Sequence, residues 1–432
     1  MANLIVKGGN RLSGEITPAG NKNSALPALC ATLLTDETVT LRNFPDLVDV
    51  NKLVELMVSL GSEIDWDKKK SIIKINNSNF KDDFGEEGFP LGMRGAVLLL
   101  GPLTSRMKVI ETKEEIGGCA LGIRELDPHL EVLEGLGADV EYNNDLKIKT
   151  TDGLRGGFLW QDYMSVTTTE NFIMAAVKAK GESTMVNAAS EPHVQDLCFL
   201  LESMGAKIEG IGTSKLTIKG VEKLKGTDFT ISSDHHEITT LLALGAMTGG
   251  EIKIHNSEPE HFPLINKAFK KFNVEIEYKD DTAIVKANQE LKIINPYTKN
   301  LLQKLEAAPW PYFPADLLPL MIALAVKSEG SMMFWNKLYE GGFFWIPELI
   351  KFGAHVVMCD PHRIIVYGNK PLNPTKVSAP NIIRATVALM MVALTIEGES
   401  IIEDADSIKR AHPNFVENLN RLGADLKWIE EC

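Results

Sequence analysis

The feature that most restricts the fold is a phrase that returns six times, an amphipathic helix stopped at Leu-Gly-Ala or a near variant and followed by a short alternating strand. The copies read "LVELMVSLGSEID", "LEVLEGLGADVEY", "FLLESMGAKIEG", "AFKKFNVEIEY", "ELIKFGAHVVM" and "NLNRLGADLKW", with the stop at Gly61, Gly137, Gly205, Asn273, Gly353 and Gly423. Glycine, or once asparagine, is what a left-handed helix stop requires. A polar or Gly-containing turn leading into a strand precedes each copy, as in "GESTMVNAA" and "GEIKIHNSE". The two phrases keep step at a period of roughly 70 residues, so six units fill the chain.

Several units also carry a helix that is apolar on nearly all sides, such as "ITTLLALGAMT", "LLPLMIALAVKS" and "ATVALMMVALTIEG". Such a helix belongs inside, and the sheets are predicted to wrap around it. At 432 residues the chain exceeds what one core usually holds, which predicts two domains of three units each. An open binding solenoid would want repeats of more equal length with no chemistry between them.

With 44% hydrophobic and 24% charged residues the chain is compositionally a folded protein and not a disordered one. Its start, "MANLIVKGGN", is too short in apolar residues for a signal-peptide core, and the longest apolar runs, "LLPLMIALAV" and "VALMMVALTI", fall short of the roughly 20 residues of a membrane span. The expectation is a cytoplasmic protein with no membrane partner. The five cysteines, at 30, 119, 198, 359 and 432, are odd in number and form no C-x-x-C pair, which argues against a disulfide framework or zinc site. His235 and His236 are adjacent, which is not a metal-ligand spacing, so no metal is expected. A net charge of −13 repels nucleic acid, and an anionic substrate would need cations gathered locally.

Five places depart from the repeat. Lys22 and Asn23, in "GEITPAGNKNSALPALC", stand at a helix start, where a lysine opposes the dipole unless an anion is bound; the alternative is a solvated lysine beside a capping asparagine. Arg94, in "LGMRGAVLLLGPL", needs a partner that is either a phosphate or a structural carboxylate. In "TKEEIGGCALGIRELDPHL", Cys119 sits between glycines and ahead of Arg124, Asp127 and His129, as a thiolate on an exposed loop or as a packed thiol. Asp316, in "EAAPWPYFPADLLPL", is either a helix cap or a positioned base. Arg384, in "APNIIRATVAL", and Arg410, in "SIKRAHPNFVENL", complete a set of five cations with Lys22, Arg94 and Arg124. If they converge, they neutralise phosphate and carboxylate charge.

Taken in order, "GEITPAGNKNSALP", "GGCALGIRELDPH", "SVTTTENFIMAAV" and "AAPWPYFPAD", together with the six-unit rhythm, make the whole chain resemble the UDP-N-acetylglucosamine enolpyruvyl transferase family. The resemblance implies an α/β fold of two inside-out α/β barrel domains of three repeats each. One would hold residues 1–21 and 233–432, the other residues 22–232 with the Cys119 loop, and the active site would lie in the cleft between them. It implies an enzyme that joins phosphoenolpyruvate to the 3-hydroxyl of UDP-N-acetylglucosamine, releases phosphate, opens peptidoglycan precursor synthesis and uses no cofactor.

By the same resemblance Asp316 is the base near the sugar hydroxyl, Cys119 the proton-donating lid thiol and target of fosfomycin, and Lys22 a third catalytic group. Lys22, Arg94, Arg124, Arg384 and Arg410 are implied to hold phosphoenolpyruvate. Asn23, Arg94, Arg124, Asp127, His129, Ser165, Val166, Asp316 and Leu338 are implied to hold the nucleotide sugar. The sister 5-enolpyruvylshikimate-3-phosphate synthases lack the cysteine loop, so a shikimate acceptor is not expected.

The chain also departs from the family pattern. Glu340 is kept, but Gly342 stands where an arginine is expected; Thr167 replaces a glycine and Val48 a lysine, Asn381 sits one residue further from Arg384, and "RAHPNF" replaces Arg-Gly-Tyr. A charged hydrogen bond lost at position 342 is worth about 1.5–3 kcal/mol. Two alternatives stay open at the level of sequence: a paralogous transferase with another acceptor, and a catalytically silent UDP-sugar binding protein.

Overall fold

The structure, a computed structural model, describes residues 2–81, 94–112, 125–143, 145–298, 300–410, 412 and 414–430. Along the described chain twelve helices alternate between two roles. In order they are α1 (Lys22–Ala31), α2 (Val48–Ser59), α3 (Leu100–Arg106), α4 (Asp127–Gly135), α5 (Val166–Ala176), α6 (Pro192–Ser203), α7 (His235–Thr248), α8 (Pro263–Lys270), α9 (Leu318–Lys327), α10 (Ile346–Lys351), α11 (Ile383–Leu394) and α12 (Phe415–Arg421). The odd-numbered helices are the small-residue, apolar ones, and α7, α9 and α11 are buried over almost their whole length. The even-numbered helices are amphipathic: α8 buries Ile265, Ala268 and Phe269 while Lys267 and Lys270 stay exposed.

Each even-numbered helix stops where the sequence predicts. Gly61, Gly137, Gly205, Gly353 and Gly423 have φ of 102°, 90°, 106°, 94° and 107°, and Asn273 has φ of 60°. A side chain in that region costs about 1–2 kcal/mol, which glycine avoids and asparagine tolerates best. The reversed chain then feeds the strand that follows.

Among the described residues the strands form six sheets with a recurring order. In one, Gln303–Ala307 runs parallel to Ser331–Asn336, which pairs antiparallel with Arg363–Tyr367, and that strand pairs with His355–Asp360. The sheets built on Val39–Arg42, Glu182–Val186 and Ile252–Ile254 repeat it, each with a parallel strand on its edge. In the last sheet the N-terminal strand Ala2–Gly8 lies between Gly398–Glu403 and Asp425–Glu430, so the two ends of the described chain share one sheet.

The chain divides into two compact units, one of residues 2–19 and 233–430 and one of residues 20–232, counting the described positions alone. Each has its own apolar core. In the first unit three sheets surround α7, α9 and α11; in the second three sheets surround α1, α3 and α5. Each unit is therefore an inside-out α/β barrel. The chain changes unit between Ala19 and Gly20 and again between Ser232 and Ser233. The Asp234 N–H donates to the Ala19 carbonyl at 2.9 Å, and the Asn21 N–H donates to the Ser232 carbonyl at 2.8 Å. These bonds fix the residues that start α7 and α1.

Candidate functional site

In the first unit, α7 opens on the buried Asp234. Its Oδ1 accepts from the His236 backbone N–H at 2.8 Å and from His236 Nδ1 at 2.9 Å. Its Oδ2 lies 3.7 Å from Arg384 Nη2 and 3.8 Å from His412 Nδ1. Burial alone would raise this carboxyl, but His236, Arg384 and His412 together outweigh burial and hold it well below the usual carboxylate range. Asp234 is thus a buried anion at neutral pH.

Glu237 follows in the same turn and is fully buried. Its Oε2 accepts from the Ala19 N–H at 2.9 Å, while Oε1 has no hydrogen-bond partner among the described residues. Burial pushes this carboxyl up to about 8, so it holds its proton at neutral pH. One turn of helix carries both an anionic and a neutral carboxyl group.

Asp316 lies inside a 3-10 turn, Ala315–Leu317, whose cap is Pro314, while the cap of α9 is Leu317. It occupies neither cap position, and its side chain is 46% exposed. His236 Nε2 faces it, 4.0 Å from Oδ2. Asp316 and Arg384 line one small pocket of about 40 Å³ together with Asn336, Tyr339 and Gly342. That volume holds a water or one small group of a larger ligand.

A Cβ placed on Gly342 would meet Asn336 Nδ2 at 2.1 Å. Asn336 is buried, and its Oδ1 accepts from the Leu338 and Tyr339 N–H groups at 3.0 Å each. Asn336 thus takes the space beside Gly342 that a side chain at that position would need. Leu338, 37% exposed, belongs to this turn. Arg410, half-buried, ends the 3-10 segment Ala405–Arg410.

In the second unit, Asn21 caps α1, its Oδ1 accepting from the Asn23 N–H at 2.8 Å. Asn23 is thus inside the helix and not its cap. Lys22 is not a solvated lysine: its side chain is 17% exposed and its Nζ is 3.4 Å from Asp49 Oδ2 of α2. Val48, where a lysine was expected, is 43% exposed beside that aspartate.

Cys119 and Arg124 lie outside the described residues. Arg94 opens the 3-10 segment Arg94–Leu99, and its side chain also lies outside the description. Asp127 opens α4 and is exposed, whereas His129 is 6% exposed. Asn171 accepts from the Gly101 N–H through Oδ1, so its Nδ2 donates to the Val97 carbonyl and to His129 Nδ1, both at 2.8 Å. His129 Nδ1 is then the acceptor, and the ring hydrogen sits on Nε2, 3.4 Å from Thr167 Oγ1. Burial pushes His129 down to about 4, so the ring is neutral.

Thr167, the departure from glycine, gives that ring its second partner. Ser165 caps α5 by position while its Oγ accepts from Thr168 Oγ1 at 2.8 Å, and Val166 begins the helix half-buried. The structure therefore brings His129 of α4 to the start of α5, and Asp316 to Arg384. Sequence reasoning missed Asp49, Asn171, Asp234, Glu237 and the positions of His236 and His412. The adjacent histidines and the altered "RAHPNF" segment were the only local signals for the last two.

Donor atoms of Asp234, His235 and His236 lie within 4.8 Å of one another. Both N–H groups of His236 already occupy Asp234 Oδ1, and the Arg384 guanidinium balances the carboxylate charge. A donor set so engaged beside a cation does not fit a metal ion.

The family model of EPSP synthase (3-phosphoshikimate 1-carboxyvinyltransferase) matches residues 6–419. The chain is 39% identical over 430 residues to the UDP-N-acetylglucosamine 1-carboxyvinyltransferase of Borrelia garinii subsp. bavariensis, covering 100% of both chains. It is 40% identical over 427 residues to the enzyme of the same name from Bradyrhizobium diazoefficiens, covering 99% of this chain and 98% of the other. Among solved structures it is similar to the enolpyruvyl transferase NikO from Streptomyces tendae, with a TM-score of 0.86 at 21% identity over 100% of this chain and 99% of the other. EPSP synthase from Acinetobacter baumannii gives 0.79 at 16% identity over 100% of both. At these identities the solved structures establish the fold alone.

Proposed function

The chain belongs to the EPSP synthase family of enolpyruvyl transferases, and we propose that it transfers the enolpyruvyl group of phosphoenolpyruvate to the 3-hydroxyl of UDP-N-acetylglucosamine, with release of phosphate, in peptidoglycan precursor synthesis. The observation that carries this reading is the full-length identity of 39% and 40% to enzymes named for that acceptor. Both substrates are small soluble anions. Among the described residues no helix is long and apolar enough to cross a membrane, in keeping with a site in the cytoplasm, where nucleotide sugars are made.

The chemistry is an addition followed by an elimination. The acceptor hydroxyl loses its proton as its oxygen bonds to C2 of phosphoenolpyruvate, and C3 gains a proton, giving a tetrahedral phospho-ketal. C3 then loses a proton, the C2–O bond to phosphate breaks, and the enol ether remains. Asp316 is the base for the hydroxyl, supported by its half-exposed carboxylate inside a 3-10 turn and by the pocket it lines with Arg384. Cys119 is assigned the proton donor to C3 on its sequence match.

Arg384 and Arg410 take the phosphoenolpyruvate carboxylate end, and Lys22, Arg94 and Arg124 the phosphates. Asp49 holds the Lys22 ammonium in place for that role. Asn23, Asp127, Ser165, Val166 and Leu338 are assigned to the nucleotide sugar. His129, neutral and bonded to Asn171, ties α4 to α5.

Phosphate release from phosphoenolpyruvate, measured with and without UDP-N-acetylglucosamine, tests the reading. Release should require the sugar nucleotide and fall by about 10²–10⁴-fold in Asp316→Ala. Release driven equally well by 3-phosphoshikimate would overturn the acceptor, and undiminished turnover in Asp316→Ala would overturn the base.

A further inference from the structure

We propose that His412 is a positioning residue that locks the Arg384 guanidinium toward the pocket it shares with Asp316, and thereby sets the affinity for phosphoenolpyruvate. The inference rests on the reading of Arg384 as a ligand of the phosphoenolpyruvate carboxylate. Arg384 Nη1 is 2.6 Å from His412 Nε2. A guanidinium can only donate, so Nε2 is the acceptor and the ring hydrogen belongs on Nδ1. That nitrogen faces two carboxyl groups of α7, 3.8 Å from Asp234 Oδ2 and 3.9 Å from Glu237 Oε2. Flipping the ring would put the Cε1–H where Nε2 now accepts, and the other tautomer would set an N–H against the guanidinium, so one tautomer in one orientation satisfies Arg384.

Packing holds the ring as firmly. The His412 side chain is fully buried and stacks on Phe415 of α12, with centroids 4.6 Å apart at 33°. Arg384, 11% exposed, is thus held on two sides, by the imidazole on Nη1 and by Asp234 near Nη2. An arginine arm has many rotamers, and a partner that fixes one of them removes that ordering cost from ligand binding.

The local sequence makes such fixing matter. Among the residues lining the small pocket, Arg384 is the one cation, because Gly342 contributes no side chain and Asn336 fills the adjoining space. The one cation of that pocket must point correctly before the donor arrives. The groups that face His412 include Asp234 and Glu237 of α7, Arg384 of α11 and Phe415 of α12.

The test uses the full chain and separate KM values for the two substrates. His412→Phe keeps an aromatic ring against Phe415 and removes the acceptor. The KM for phosphoenolpyruvate should rise about tenfold to a hundredfold, as expected for a lost charged hydrogen bond, with the KM for UDP-N-acetylglucosamine and kcat within about twofold. Arg384→Gln should raise the same KM, and adding His412→Phe to it should change it by less than about twofold.

His412→Ala supplies a second measurement: added imidazole, which restores the acceptor, should bring the phosphoenolpyruvate KM back down. An unchanged KM in His412→Phe while Arg384→Gln raises it, full additivity in the double variant, a parallel rise of both KM values, or no response to imidazole would overturn the inference. An unchanged KM in Arg384→Gln would overturn the reading of Arg384 on which it stands.

Discussion

The starts of α7 and α5 sit in equivalent surroundings, each an inner helix with a glutamate buried in its first turns, yet they handle charge in opposite ways. At α7, Asp234 is ionised and surrounded by Arg384, His236 and His412, and the proton is kept on Glu237. At α5 the cap is Ser165, the partners are threonine hydroxyls, His129 is neutral, and burial pushes Glu170 well above its ordinary range. One start is an ion-pair network beside Asp316 and Arg384. The other is a set of neutral hydrogen bonds that ties α4 to α5. The same fold position can thus orient a cation or tie two helices together, depending on whether its buried charge is balanced.

Asp234→Asn should break the comparison most severely. It leaves the Arg384 guanidinium buried without its carboxylate, a change that costs about 3–5 kcal/mol, read by urea unfolding at neutral pH. Asp234, with its proton affinity depressed by the fold, contributes stability that is present above its unfolded value and lost as pH falls through the folded one.

Glu237 carries the opposite sign. Its folded value of about 8 lies above the unfolded one, so the folded state binds the extra proton and stability falls as pH rises toward 8. Glu237→Gln should flatten that decline. The difference between variant and wild type should grow by about 1.4 kcal/mol per pH unit at most, reaching a few kcal/mol, in thermal or urea unfolding from pH 5 to 8.

His129 should sharpen the contrast with a smaller effect on the acid side. Its folded value of about 4 lies below the ordinary 6.5, so the stability due to the neutral ring is present above 6.5 and lost as pH falls toward 4. His129→Gln should remove up to about 3 kcal/mol of that pH dependence, measured by unfolding between pH 7 and 4. A wild-type protein with no such slope would mean that the ring reaches water.

What was legible in the sequence was local. Gly61 and its five equivalents were readable because a left-handed stop is a property of one residue, and α9 and α11 because helices without a polar face must go inside. Asp316 was visible as a candidate, but the sequence left cap and base open; the structure gives the cap positions to Pro314 and Leu317. The sequence offered a capping asparagine beside Lys22, and the structure gives that role to Asn21.

By itself the sequence determined the six-unit rhythm, the inner and outer helices, and a family resemblance carried by contiguous motifs. Each depends on residues within a few positions of one another, where backbone geometry and hydrophobic period decide the outcome. Only the tertiary structure decided that Asp234, Arg384 and His412 share one buried network, that Asn171 sets the tautomer of His129, and that Asn336 fills the space beside Gly342. Those residues come from distant segments, and their charge and proton states follow from burial and from partners that folding brings together.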